Sequence, residues 1–400
     1  MLGLLLASPL RDGASRPPRV LETNASDRNA ASSGALGELA RLFLKLGTTA
    51  FGGPAAHIAM MEEEVVRRRR WLSRERFLDL LGATNLIPGP NSTEMAIHVG
   101  YLRGGWPGLL VAGSCFILPA AVIVTAIAWA YVRFGTLPQV EGLLWGAKPV
   151  VIAVVVQAIA SLGRSIVRSR WLLVVALVAL VASLAGANEL VVLAAAGVLV
   201  AAARAAKRGG ANALALLAAA GPAVPIVPLT LTGIFLFFLK VGSVLFGSGY
   251  VLVAFLRADL VSRWHWLTES QLLDAVAVGQ VTPGPVFTTA TFIGYVLAGW
   301  KGAGLATAGI FLPAFVLVAA SGPLVPRLRR SRIAGGFLDG VNAGSLALMA
   351  AVTLQLARPV LVDPVSITIA AIAAVLLIRF RISSAWLLPA AALLRLLLRG

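Results

Sequence analysis

Long apolar stretches alternate with short polar clusters along most of this chain. Gly104 to Val132, Ala275 to Trp300 and Gly302 to Pro326 hold no Asp, Glu, Lys or Arg, and Trp171 to Ala203 holds only Glu189. A helix needs ~20 mostly apolar residues to cross a bilayer, so each stretch can span at least once. The pattern predicts segments near 36–56, 77–100, 107–132, 142–163, 171–186 and 189–206. A second series follows near 230–256, 272–297, 302–326, 336–357, 365–378 and 383–398. The expected fold class is all-α, a polytopic membrane protein of roughly 10–12 transmembrane or re-entrant helices.

The two series correspond because the chain repeats itself. A shift of 195 positions lays Lys45 to Pro90 on Lys240 to Pro285 without a gap. Phe51-Gly52 meets Phe246-Gly247, Trp71-Leu72 meets Trp266-Leu267, and Pro88-Gly89-Pro90 meets Pro283-Gly284-Pro285. After a one-residue slip, Gly100-Tyr101 falls on Gly294-Tyr295, and Gly142 and Gly146 fall on Gly336 and Gly340. The expected organisation is a disordered tail (1–34), a first repeat (35–206), a Gly/Ala/Pro-rich linker (207–228) and a second repeat (229–400). Secondary transporters are commonly built from two such repeats, with the substrate site between them near mid-membrane. If every segment spans, the repeats are parallel and Arg67–Arg70 lies opposite Arg164–Arg170, against the positive-inside bias. A re-entrant 142–163 would remove that conflict and invert the second half, and the reading leans that way.

Composition supports the membrane reading: 58% of the 400 residues are hydrophobic and 13% charged, where soluble domains are about a quarter charged. The net charge of +17 does not point to nucleic acid, because the basic residues cluster between apolar runs, as in cytoplasmic loops. One cysteine (Cys115) and three scattered histidines (His57, His98, His265) give no disulfide framework and no metal centre. No phosphate-cradling loop, zinc helix motif or nucleophile elbow is present, so neither a cofactor nor an enzymatic activity is expected.

The polar interruptions carry the candidate chemistry. "NLIPGPNSTE" and "QVTPGPVFTT" break apolar segments at matched positions. A break at depth is tolerated only where the freed backbone faces protein or a wet cavity. It exposes a half-helix N-terminus whose N–H groups and dipole favour an anion. The candidate binding set is therefore Asn85, Pro88, Gly89, Pro90, Asn91, Ser92 and Thr93, with Gln280, Thr282, Pro283, Gly284, Pro285, Thr288 and Thr289 in the second copy. Lys45 and Lys240 sit inside apolar segments, where a lysine usually faces the bundle interior, and their ammonium groups suit a doubly charged oxyanion. Gly52, Gly53, Gly247 and Gly249 permit close approach of backbone to a ligand or to another helix. Glu94 and His98, four apart on one helix face, are candidates for relaying protons. Asp79, Asp274, Arg68 and Arg263 match across the copies and read as structural or gating residues.

"FGGPAAHI", "LIPGPNSTEMAIHVGY", "GGWPG" and "FILPA", with "FGSGYVLVAFL", "TPGP-FTTATFIGY" and "FLPAF" in the second copy, resemble the chromate ion transporter family in its long, two-domain form. The resemblance covers roughly residues 38 to 357. It implies a multi-pass protein of the bacterial inner membrane that exports chromate, driven by an ion gradient. Some members handle sulfate or other oxyanions, which leaves the substrate open between the two. The expected partners are an oxyanion and the lipid bilayer, and a homodimer stays open. A membrane enzyme acting on phosphorylated lipids is a remote alternative, with Asp79 and Asp274 its only paired carboxylates.

Overall fold

A computed structural model describes residues 25–135, 137–166, 169–206, 228–246 and 249–399. Every regular element among them is helical. In the first repeat these are α1 (Ala25–Thr49), α2 (Gly53–Glu62, continued by a π-helical turn Glu63–Arg68), α3 (Arg74–Thr84), α4 (Asn91–Phe134), α5 (Pro138–Ile166), α6 (Arg170–Leu184) and α7 (Glu189–Ala206). The second repeat follows the same order: α8 (Leu231–Val244), α9 (Val251–Leu256, continued by Arg257–Arg263), α10 (Glu269–Val281), α11 (Thr289–Arg330), α12 (Arg332–Val360), α13 (Pro364–Arg379) and α14 (Ser384–Arg399). Among the described residues, five helices are long and apolar enough to cross a membrane. Of the expected tail, 25–34 already belong to α1, and 1–24 lie outside the described residues. So does 207–227, the expected linker.

The 44-residue α4 would measure about 66 Å if straight, twice a bilayer's ~30 Å core. It instead folds back at Gly104 and Gly105, where the backbone leaves helical geometry. Gly100 then lies directly against Gly108, and a Cβ on Gly100 would come within 2.5 Å of the Ala112 Cβ. α11 repeats the device, with its kink at Ala298–Gly299 and Gly294 against Gly302. α1 also turns back. It packs along the long arm of α4, with Gly47 against the Cys115 and Phe116 carbonyls, and ends at Thr49. α2 then returns, so that Arg69 and Trp71 come to lie with Glu38 and Arg41. The predicted segments 36–56 and 77–100 are thus re-entrant pairs. Segment 142–163 is not: α5 is one continuous helix of 29 residues that crosses in a single pass, which corrects the expectation from sequence.

The repeats are inverted. Arg103, next to the α4 turn, stacks over Trp71 just ahead of α3. α10, the counterpart of α3, instead meets Tyr131 near the other end of α4, where the Tyr131 hydroxyl donates to Asp274. From Gly105 to Tyr131 the helix rises about 39 Å, so the matched elements sit on opposite faces. The long arms of α4 and α11 run antiparallel, with Gly113 against Phe315. Consequently Arg67–Arg70, Arg164, Arg204 and Arg330 all gather at one end. Arg204 is anchored there by an ion pair to Asp339 at the start of α12. The re-entrant pairs resolve the charge conflict that the sequence posed. The halves also interlock, since α5 packs between α13 and α14 while α12 packs between α6 and α7.

Candidate functional site

The two Pro-Gly-Pro breaks meet at the centre of the molecule. The Gly89 N–H donates to the Leu245 carbonyl at 2.9 Å, and the Gly284 N–H donates to the Ala50 carbonyl at 2.9 Å. Each break therefore closes on the end of the other repeat's first helix. Positive φ angles at Gly89 (139°) and Gly284 (84°) aim these donors, a conformation glycine reaches most easily. The middle glycine of each motif is thus used in joining the repeats.

Beside this junction lies a cavity of about 460 Å³. The first repeat lines it with Gly52, Pro54, Asn85, Pro90, Asn91 and Ser92, and the second with Gly249, Tyr250 and Phe287. α5 adds Gln157 and Ser161, and α12 adds Asn342. None of the described lining residues carries a charge. Gln157, Ser161 and Asn342 all fall in the half of their helices nearer the arginine-rich end, so the cavity reaches from the centre towards that end.

Helix starts divide into two kinds. Those at the membrane surface are capped by side chains: Ser73 for α3, Thr268 for α10, Ser331 for α12 and Asp363 for α13. Two at the centre are not: α2 begins behind Gly52 and α4 behind Pro90, and neither has a side-chain cap. Orphan N–H groups at a helix start need a partner from side chain, water or ligand. Here two such starts border one cavity, where the positive ends of the dipoles favour an anion.

The polar residues of the first break face this space or lack partners. Asn91 donates its amide to Asn85 at 2.8 Å, and Ser92 lies 3.4 Å from the His57 Nδ1. The other His57 nitrogen lies 3.1 Å from the Ala50 carbonyl, so this ring ties α2 to the break. Glu94 is fully buried with neither carboxylate oxygen bonded, and the Thr93 hydroxyl and His98 Nε2 are likewise unpartnered. In the second copy the hydroxyls turn back on their own backbone: Thr282 to Val278, Thr288 to Pro285 and Thr289 to Val286. Gln280 is held by Tyr250 and Ser384, with its amide nitrogen unpaired.

Lys45 and Lys240 do not line the cavity. Lys45 pairs with Glu64 at 2.9 Å and Lys240 with Asp259 at 2.5 Å, at matched positions of the repeats. Lys240 also faces the Phe237 and Trp264 rings. Arg68 binds Glu63 and Glu64, and Arg263 binds Asp259 and reaches Glu189. Asp79 is exposed, whereas Asp274 is buried between Tyr131 and Lys148. Gly53 adopts a φ of 78° at the start of α2, and Gly247 lies outside the described residues. Sequence reasoning missed Tyr250, Gln157, Ser161 and Asn342. It paired Glu64 with Arg68, as found, but missed the Lys45 contact of Glu64 and missed Asp259, although the repeat shift carries one acid onto the other.

Comparisons with known proteins place both repeats in one family. The chromate transporter profile matches twice, over residues 37–201 and 232–396. A chromate transport protein of Cupriavidus metallidurans is 34% identical over 386 residues, 94% of this chain and 96% of that one. One from Pseudomonas aeruginosa is 34% identical, covering 79% of this chain and 80% of its own length. A probable chromate transport protein of Synechococcus elongatus is 31% identical over 82% of this chain and 86% of its own. No solved structure matches the chain. With both repeats matched and this identity sustained over nearly its full length, the chain belongs to the chromate transporter family.

Proposed function

We propose that the chain is a secondary transporter that exports chromate across the bacterial inner membrane by alternating access. The observation that carries this reading is the central cavity bordered by the uncapped starts of α2 and α4. A tetrahedral dianion would take its hydrogen bonds from backbone N–H groups there and from the Asn91 and Ser92 side chains. Neutral donors and helix dipoles then offset the charge, and Lys45 and Lys240 belong to the scaffold. The arginine-rich end faces the cytoplasm by the positive-inside bias, so the cavity is open to the compartment from which an exporter loads. Glu94, with His98 one turn on, is the proton-coupling group. An ionisable residue inside a membrane segment is by default a functional candidate.

Chromate uptake into everted vesicles tests this reading, with a proton gradient imposed or collapsed and sulfate as competitor. Gradient-driven chromate uptake that Asn91→Leu abolishes is the expected result. Robust sulfate flux without chromate flux would keep the site and replace the substrate. Uptake insensitive to the gradient in wild type, and unchanged in Glu94→Gln, would remove the proton from the scheme.

A further inference from the structure

A second cavity, separate from the central one, opens at the arginine-rich end. Its volume is about 360 Å³, within the ~300–1,000 Å³ of small-molecule sites. Glu38 and Arg41 line it from α1, and Arg69 and Trp71 from the turn that follows α2. Two guanidinium groups stack on the Trp71 ring, with the Arg69 Cζ 5.5 Å and the Arg103 Cζ 5.1 Å from its centre. Such stacking orients a guanidinium plane and leaves its N–H edge available to an anion. Arg103 turns that edge to Glu38 at 3.0 Å, which meets the one carboxylate of the lining. Arg69 reaches Glu64 through a terminal nitrogen at 3.4 Å, and its Nε is buried and unpartnered. Arg41 is exposed and makes no ion pair with a described residue.

The neighbouring turn of α4 fixes the depth of this cavity. Tyr101 and Trp106 flank the turn, both exposed and stacked edge-on at 5.5 Å, as in an interfacial aromatic belt. From there the long arm of α4 leads into the hydrocarbon with a stripe of exposed Leu110, Leu118 and Val122. Joined to the turn through Arg103, the cavity lies at the level of the lipid headgroups. The second repeat supplies a comparison. The repeat shift lays Glu38, Arg41 and Arg69 on Gly233, Leu236 and Trp264, and after the slip Arg103 falls on Leu297. Trp71 keeps its kind, as Trp266. The matched helices therefore fold at the opposite face with none of these charges, so the fold does not require them.

We propose that this cavity binds the phosphate of an anionic phospholipid in the leaflet on the arginine-rich side, held by Arg41 and Arg69 against the Trp71 ring. Both guanidinium groups give the phosphate charge-assisted N–H bonds. Free phosphate has the same chemistry, but the bilayer delivers a headgroup to this depth, with its acyl chains on the apolar stripe of α4. By the positive-inside bias this is the cytoplasmic leaflet, whose surface is negative. The proposal is independent of the cargo and of the transport cycle.

Lipid titration of the purified full chain in detergent tests the site, read by native mass spectrometry. Phosphatidylglycerol, phosphatidylcholine and inorganic phosphate are its three arms. Phosphatidylglycerol should bind most tightly, and Arg41→Ala should weaken it by about tenfold, since hydrogen bonds to charged groups are among the stronger ones. Arg67→Ala removes an equal charge from a side chain 69% exposed and outside the lining, and should change binding by less than about twofold. Equal weakening by the two variants would reveal diffuse attraction and overturn the site. Equal binding of the two lipids would do the same. Inorganic phosphate that binds as tightly as phosphatidylglycerol would give the cavity to a free ion and overturn the lipid.

Discussion

The two Pro-Gly-Pro breaks share a backbone and differ in chemistry. In both, the central glycine donates across the repeat interface to the end of the other repeat's first helix. The first break turns Asn91 and Ser92 towards the cavity and leaves the Thr93 hydroxyl and both Glu94 oxygens unpartnered, where the second leaves the Gln280 amide nitrogen unpaired. The second spends its three hydroxyls on its own carbonyls and presents Val286 and Phe287 to the same space. A duplicated motif has kept one job in both copies, joining the halves. On the proposed function, the other job, meeting an oxyanion, falls to the first copy.

The largest effect should come from the shared job. A Cβ at Gly284 would lie 2.7 Å from the Ala120 Cβ and 3.0 Å from the Gly47 carbonyl oxygen, at a φ that disfavours side chains. Gly284→Ala should cost about 3 kcal/mol, from overpacking and backbone strain together. Gly89→Ala should cost less, because there the obstacle is the movable end of the Glu94 side chain. Equal losses in thermal unfolding would show that the junction is symmetric after all. Next come the lysines. Lys240→Ala strips one partner from Asp259, which is buried and retains Arg263, and should cost about 2 kcal/mol.

Transport separates the copies in the other direction. Asn91→Leu removes a donor to an anion and should raise the chromate KM by about tenfold, since hydrogen bonds to charged groups are worth ~1.5–3 kcal/mol. Thr288→Val, whose hydroxyl serves Pro285, should leave the KM within about twofold. A reversed order would move the site to the second copy. The smallest effect belongs to Lys45→Ala, whose side chain is 54% exposed, at no more than about 1 kcal/mol. The Lys45 hydrogen bond holds the Glu64 carboxyl below its usual range, with Arg69 and Arg68 adding to it and burial opposing. A lowered folded value gives stability that is present above the ordinary ~4.3 and is lost as pH falls through the folded value. Unfolding midpoints between about pH 3 and 6 should therefore drop less steeply in Lys45→Ala than in wild type.

Much of the fold was legible because it is written in local signals. Apolar length marked the helices, and the repeat showed itself by direct comparison of the chain with itself. The Pro-Gly-Pro runs marked two places where a helix stops at depth. Which segments turn back was not legible, since a helix that returns and a helix that crosses are equally apolar. Segment 36–56 has the length to span, and only the contacts of Gly47 and Trp71 show that it does not. The lysines misled for a related reason. Apolar flanks say that a charge lies deep, but not which acid meets it, and Glu64 and Asp259 come from a different helix. Gln157, Ser161 and Asn342 carry no motif at all. They reach the cavity because long helices interlock across the repeats, a property of packing and not of any window of sequence.

The crossed hydrogen bonds at the centre also bear on how such a chain is assembled. Neither half contains the acceptor for its own break, because the Gly89 donor is satisfied only by Leu245 and the Gly284 donor only by Ala50. A half made alone would carry an orphaned amide in the middle of the bilayer, where no water replaces the missing carbonyl. It would complete itself only by meeting a copy threaded through the membrane the opposite way. Fusing the halves fixes their orientations during synthesis, and converts an encounter between two oppositely inserted chains into an event within one.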